Sequence, residues 1–181
     1  MTNRHRWRFT PALAALTLML GTGQPPLSGQ QMEHSAPSTP STQLTVSYDG
    51  KTTTYSPAEF AALPHKSVTV FNAHSRKNET YSGVVLSDLL SKVGVPSGEK
   101  VRGKVFMTGV VAEGMDHYGV LYSLAEVDPS IHTGDVIVAD TMDGQKLTKD
   151  GAFKMVSSEE RRPARWVRNL TSISVVQVPQ P

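Results

Sequence analysis

The sequence predicts an α+β domain, a strand-rich mixed sheet with short helices inserted between the strands. Three observations carry this. Short runs rich in β-branched and aromatic residues recur along the chain, separated by turn residues such as Asp49-Gly50 and Asp143-Gly144. Helical signals are brief: Ser56 to Glu59 and Ser123 to Glu126 each have the spacing of a capping box. Strands and long helices do not alternate regularly, which argues against a doubly wound parallel sheet. No internal repeat is present.

The elements follow in order. Leu44, Val46 and Tyr48 alternate with polar residues, Asp49-Gly50 turns the chain, and residues 51–55 continue as the second arm of a hairpin. Ser56 caps a short helix with Pro57 at its first position, and this helix ends before Pro64. Val68, Val70 and Phe71 suggest a strand. Residues 86–93 have helical spacing, and Gly94 stands where such a helix stops. Residues 101–111, 119–122, 135–139, 152–156 and 173–178 read as strands, and Ser123 caps a short helix.

Length and composition bound the rest. The chain has 181 residues, which suits one ordinary domain, and 38% are hydrophobic, enough for one core. Cysteine is absent, so disulfides, zinc–thiolate sites, iron–sulfur clusters and cysteine nucleophiles are excluded. Residues 1–23 have the order of a secretory signal peptide: Arg4, Arg6 and Arg8, then the apolar run from Ala12 to Leu20, then Gly21-Thr22-Gly23. The apolar run falls well short of the roughly 20 residues a spanning helix needs, so no stable membrane anchor is expected. No Arg-Arg pair precedes it, so the general secretory route is expected, with a periplasmic or secreted protein as the product. Residues 24–42, rich in Pro, Ser, Gln and Thr, read as a flexible linker, and the domain is expected over 43–181. Without the three leader arginines, 15 basic residues face 16 acidic ones, a net charge of −1. A field suited to nucleic acid is therefore not expected.

Three stretches together carry a family resemblance. The first is Tyr81-Ser82-Gly83-Val84-Val85-Leu86-Ser87-Asp88-Leu89-Leu90, running on to Val93-Gly94-Val95-Pro96. The second spans 112–126 and contains Met115-Asp116-His117-Tyr118. The third joins Ala139-Asp140, Asp143-Gly144-Gln145-Lys146-Leu147 and residues 151–156, and closes with Ala164-Arg165-Trp166-Val167-Arg168-Asn169-Leu170. Over roughly residues 55–178 the chain resembles the molybdopterin-binding domain of sulfite-oxidase-type oxidoreductases, and in particular its short exported members. The resemblance implies mixed strands around a pterin cleft. In full enzymes of the family a cysteine before the first motif ligates molybdenum. Here that region is residues 70–76, where His74 and Arg76 stand and no cysteine does. The family's closing segment offers basic side chains to the pterin, and by that alignment Arg168 matches a lysine position, with Arg165 one turn earlier. His117 and Tyr118 lie in a second motif that lengthens the family's usual turn. The cofactor-binding candidates are thus Arg165, Arg168, His74, Arg76, His117 and Tyr118. No catalytic residue is assigned and no metal ligand is expected.

On their own, Arg161, Arg162, Arg165 and Arg168 form the densest basic cluster. A guanidinium fork suits bidentate binding of phosphate, so the cluster reads as an anion site. The alternative is a solvated turn in which Glu159 and Glu160 neutralise it. On a helix Arg165 and Arg168 would share a face, although Pro163 limits how far helix extends before them. Trp166 reads as core. His74, His117 and His132 lack the spacing that puts two ligands on one helical face, and no Gly-x-Ser-x-Gly elbow is present.

Three functions stay open. The first is an exported binding module without molybdenum catalysis, with a small anionic ligand or an extracytoplasmic protein as partner. The second is a molybdopterin-dependent oxidoreductase or an accessory subunit of one. The third is a ligand-free scaffold. The residues themselves imply no cofactor, the resemblance allows molybdopterin, and whether the chain is an enzyme stays open with them.

Overall fold

In the computed structural model, which describes residues 39–179, the first hairpin joins β1 (Leu44–Tyr48) to β2 (Lys51–Tyr55). Its turn residues Asp49 and Gly50 both have positive φ, 47° and 74°, which matches the twist of the strands they connect. The expected signal peptide (1–23), and the expected linker as far as residue 38, lie outside the described residues. Ser41, inside the stretch read as linker, is buried, and its N–H donates to Asn169 Oδ1 at 2.6 Å.

The capping box at Ser56 opens α1 (Pro57–Ala61) as expected, with Glu59 reaching back to the Ser56 N–H. A second hairpin pairs β3 (Lys66–Asn72) with β4 (Lys77–Val85). β4 is the longest strand, and the pattern did not predict it: its first half, Lys77-Asn78-Glu79-Thr80, lies toward solvent and carries no apolar alternation. α2 (Leu86–Lys92) buries Leu86, Leu89 and Leu90. It ends at Gly94, φ 88°, with Val95 N–H donating to Leu90 O and Gly94 N–H to Ser91 O. This is the Schellman pattern, completed by burial of both Val95 and Leu90.

The expected strand over 101–111 begins only at β5 (Thr108–Gly114). Gly103, at φ 58°, starts a 3₁₀ stretch, Gly103–Met107, where the residue content alone suggested extended chain. β6 (Gly119–Ser123), α3 (Leu124–Val127), β7 (Val136–Met142), β8 (Gln145–Lys146), β9 (Lys154–Ser157) and β10 (Leu170–Gln177) complete the order.

Sheet one has the order β2-β1-β10-β5-β6, with β1 and β10 parallel and the other pairs antiparallel. It is the mixed sheet that the fold class requires. Sheet two has the order β3-β4-β7-β8 and is antiparallel throughout. β4 takes one edge of β7, so β8 and β9 divide the other. Along β7, Val136 and Val138 enter the main core while Ile137 and Ala139 enter a second cluster with Val68, Val70, Tyr81, Val156 and Trp166. Period-two alternation thus buries both faces of the strand. Gly83 makes the close β4–β7 contact: a Cβ there would lie 2.0 Å from Val138 O. Among the described residues no helix is long and apolar enough to cross a membrane.

Candidate functional site

Tyr122, Glu126, His132, Val136, Ser157, Glu159, Glu160 and Arg165 line a cleft of about 190 Å³. Its construction follows from local sequence. Pro163 starts a single 3₁₀ turn, Pro163–Arg165, which carries Arg165 to the cleft. Trp166 then turns inward, buried, with its indole N–H donating to Ser157 O at 3.1 Å, and Val167 bridges to Met155. Two anchored residues therefore fix the arginine that precedes them.

Tyr122 of β6 lies beneath the guanidinium, with Arg165 Cζ 4.4 Å from the ring centroid, and its hydroxyl donates to Arg165 O at 2.9 Å. α3 supplies Glu126. Its Oε2 accepts from Ser123 N–H and Oγ, closing the capping box, which leaves Oε1 to accept from Arg165 Nη1 at 3.0 Å. Glu160 Oε1 accepts from Arg165 Nε at 2.7 Å and also meets Nη2. Glu159 faces the other wall, accepting from Thr133 Oγ1 at 3.1 Å and lying 3.3 Å from His132 Nε2. Because Gly134 N–H donates to His132 Nδ1, the neutral ring carries its proton on Nε2, toward Glu159.

The electrostatics follow from these contacts. Burial alone would raise the Glu126 carboxyl, but the Ser123 and Arg165 bonds outweigh it and hold it below the usual glutamate value. Burial opposes the charge on Arg165, and the two glutamates more than restore it. Burial pushes the Tyr122 phenol up, which keeps it a hydrogen-bond donor. The guanidinium is thus committed to two internal carboxylates. With Glu159 beside it, the cleft has more negative than positive charge.

The other predicted residues stand elsewhere, and of the six candidates the cleft gathers only Arg165. Arg168 follows at a bend after the Val167 bridge rather than on a shared helical face. Its side chain is 60% exposed, and its guanidinium lies 3.9 Å from Asp116. His74 and Arg76 are exposed in the β3–β4 turn, where Arg76 has φ 55°. That turn is shaped by Asn72, whose Oδ1 accepts from His74 N–H, and by Ser75, whose hydroxyl donates to Glu79. His117, at φ 62°, is exposed in the β5–β6 turn, with Nδ1 2.7 Å from Glu113. Tyr118 sends its hydroxyl to Ala164 O, which ties the same turn to the segment before Arg165.

Sequence reasoning named Glu160 as a neutralising partner and Trp166 as core, and both stand so in the fold. It gave Glu159 the same role, whereas Glu159 turns to Thr133 and His132. Glu126 and Tyr122 were missed as site residues. The signal for Glu126 was present in the capping box, which reads as a helix start and hides the carboxylate oxygen left over.

The donors present do not fit a molybdenum–pterin group. The chain has no thiolate, no three His, Asp or Glu residues among those described are grouped to hold a metal, and the cleft's arginine is already neutralised.

A family model described as the oxidoreductase molybdopterin binding domain matches residues 35–181. No curated protein matches the sequence. The crystal structure of the sulfane dehydrogenase SoxCD from Paracoccus pantotrophus is similar at a TM-score of 0.56 and 18% identity, over 74% of this chain and 37% of that one. At that identity the likeness shows the fold alone. It is the sulfite-oxidase-like, strand-rich fold expected from the sequence, and this chain spans little more than a third of that protein's length.

Proposed function

The chain belongs to the oxidoreductase molybdopterin-binding domain family, and from that premise we propose that it is an exported binding module. It holds an extracytoplasmic partner protein at the acidic cleft and does not carry out molybdenum chemistry. One observation carries this reading: Arg165 is held by Glu126 and Glu160. A pterin phosphate entering the cleft would have to displace a carboxylate to reach the guanidinium, and would then face three glutamates. A lysine or arginine side chain of a partner meets the opposite situation, with carboxylates already oriented toward it. A small anion, the other ligand class the arginines suggest, has the exposed Arg161, Arg162 and Arg168 to meet.

The test has two parts. Protein purified from its native extracytoplasmic fraction is analysed for molybdenum, tungsten and pterin fluorescence, and neither metal nor pterin is expected. A lysine-rich peptide is then titrated against the wild type and Glu159→Gln/Glu160→Gln, and several-fold weaker binding is expected of the variant. Equal binding would remove the cleft from the reading.

Family membership favours a second reading, a molybdopterin-dependent oxidoreductase or an accessory subunit of one. Stoichiometric metal together with pterin in the first part would establish it in place of the binding module.

A further inference from the structure

His65 meets two oxygens. Its Nδ1 lies 2.6 Å from Leu63 O, and its Nε2 lies 3.3 Å from Asp140 Oδ1. A carbonyl oxygen only accepts, so Nδ1 carries a proton. A neutral ring would then turn the bare Nε2 lone pair toward a carboxylate oxygen. The two side chains are only 21% and 15% exposed, so water does little to relieve that repulsion. A second proton, on Nε2, converts it into a charge-assisted hydrogen bond. Asp140 Oδ1 is itself buried and has no other partner among the described residues.

Local structure aims the two groups at each other. β4 pairs Ser82 with Thr141 and Gly83 with Ala139, so Asp140 is the extra residue of a β-bulge in β7, a place where a side chain is redirected. Its backbone carbonyl accepts from Leu147 N–H at 2.9 Å, which fixes the bulge. His65 ends the connection from α1 and precedes Lys66, the first residue of edge strand β3. Its ring stands edge-on to Phe60 of the main core, at 5.9 Å and 78°.

The charged groups on the neighbouring elements are engaged elsewhere or stand in solvent. Glu59 of α1 caps its own helix, Lys66 of β3 pairs with Asp135 at 2.7 Å, and Lys154 of β9 pairs with Asp150. Lys77 and Glu79 lie at the hairpin-turn end of β4, and Asp88 and Lys92 of α2 and Lys146 of β8 are exposed. Tyr55, edge-on to Phe60, is kept a neutral phenol by burial. The other two histidines that meet a carboxylate need no second proton. Gly134 N–H donates to His132 Nδ1, so the neutral ring already turns its Nε2 proton to Glu159. His117 is exposed and meets Glu113 through Nδ1 alone.

We propose that His65 and Asp140 form a pH-operated latch between the start of edge strand β3 and the bulge of β7. With the proton on Nε2 the latch is closed. When rising pH removes it, Nε2 and Oδ1 repel, the connection over residues 63–65 lifts from β7, and water enters to solvate the Asp140 carboxylate. The closed fold keeps a proton that the unfolded chain gives up first. Its contribution to stability is therefore complete at mildly acidic pH and is lost as pH rises through the histidine range. Acid strong enough to protonate Asp140 weakens the bond from the other side. The latch works whatever the cleft holds.

Long-range nitrogen–proton NMR at the His65 ring tests it, together with urea unfolding across pH. At about pH 6 the wild-type ring is expected to carry protons on both nitrogens. Asp140→Asn keeps the shape and removes the charge, and its His65 should bind the second proton at least about tenfold more weakly. Wild-type stability is expected to fall between about pH 6 and 8, and the fall should be smaller in both Asp140→Asn and His65→Gln. A wild-type ring with a single proton at about pH 6 overturns the latch. So does an equal His65 titration in wild type and Asp140→Asn, or a slope of stability with pH that either variant leaves unchanged.

Discussion

Two cations in this domain sit over aromatic rings, and the fold treats them differently. Lys154 is buried between Tyr81 and Trp166, its Nζ 4.9 and 5.5 Å from the ring centroids, and donates to Asp150 at 2.6 Å and to the Tyr81 hydroxyl at 3.1 Å. Arg165 has the same kinds of neighbour, one ring and two carboxylates, but its side chain is 38% exposed. Lys154 holds together a network that runs through Tyr81 to Glu79, and from Glu79 to Asn72 and Ser75 at the hairpin turn. Arg165 closes nothing behind it and sets the charge of a cleft open to water. The partners are alike, and the degree of burial decides which cluster supports the fold and which is available for recognition.

Changes in the buried cluster should cost most. Trp166→Ala removes the indole, its bond to Ser157 and its edge contact with Tyr81 at 5.6 Å, and should lower unfolding stability by about 3–5 kcal/mol in urea. Lys154→Met keeps most of the side-chain volume but strips Asp150 of its cation, and a loss of about 2 kcal/mol is expected. A neutral or stabilising result for Lys154→Met would break the comparison, because the buried ion pair would then only offset its own desolvation.

The same contrast explains how much was legible in the sequence. The Asp49-Gly50 and Asp143-Gly144 turns, both capping boxes and the Gly94 stop are set by neighbours within a few residues, and local pattern reported them. β4 was not legible, because Glu79 and Thr80 are placed by partners across the sheet, Asn72 and Asp143, rather than by their own alternation. At the site, Arg165 could be nominated from composition. That Glu126 would reach it depends on a contact spanning 39 residues, which no local pattern encodes. The non-helical path from Arg165 to Arg168 likewise follows from the bridge between Val167 and Met155, and helical spacing could not foresee it.

The exposed cluster should respond weakly in stability and measurably in charge. Arg165→Met is expected to cost under about 1 kcal/mol, since its ion pairs are open to solvent. The sharper readout is Glu126. Its folded-state value lies below the ordinary 4.5, because the Ser123 and Arg165 bonds outweigh the burial that would raise it. A carboxyl lowered on folding contributes stability that is complete above its unfolded value and is lost as pH falls through the folded one. In Arg165→Met only the Ser123 cap remains, so the Glu126 titration should move upward, followed by carboxyl-detected NMR, and the acid-side loss of stability should be smaller and be complete at a higher pH. An unmoved titration would mean that the cap alone holds the carboxylate. Glu126 would then be a helix cap that happens to touch the arginine, and the neutralisation of the cleft would rest on Glu160.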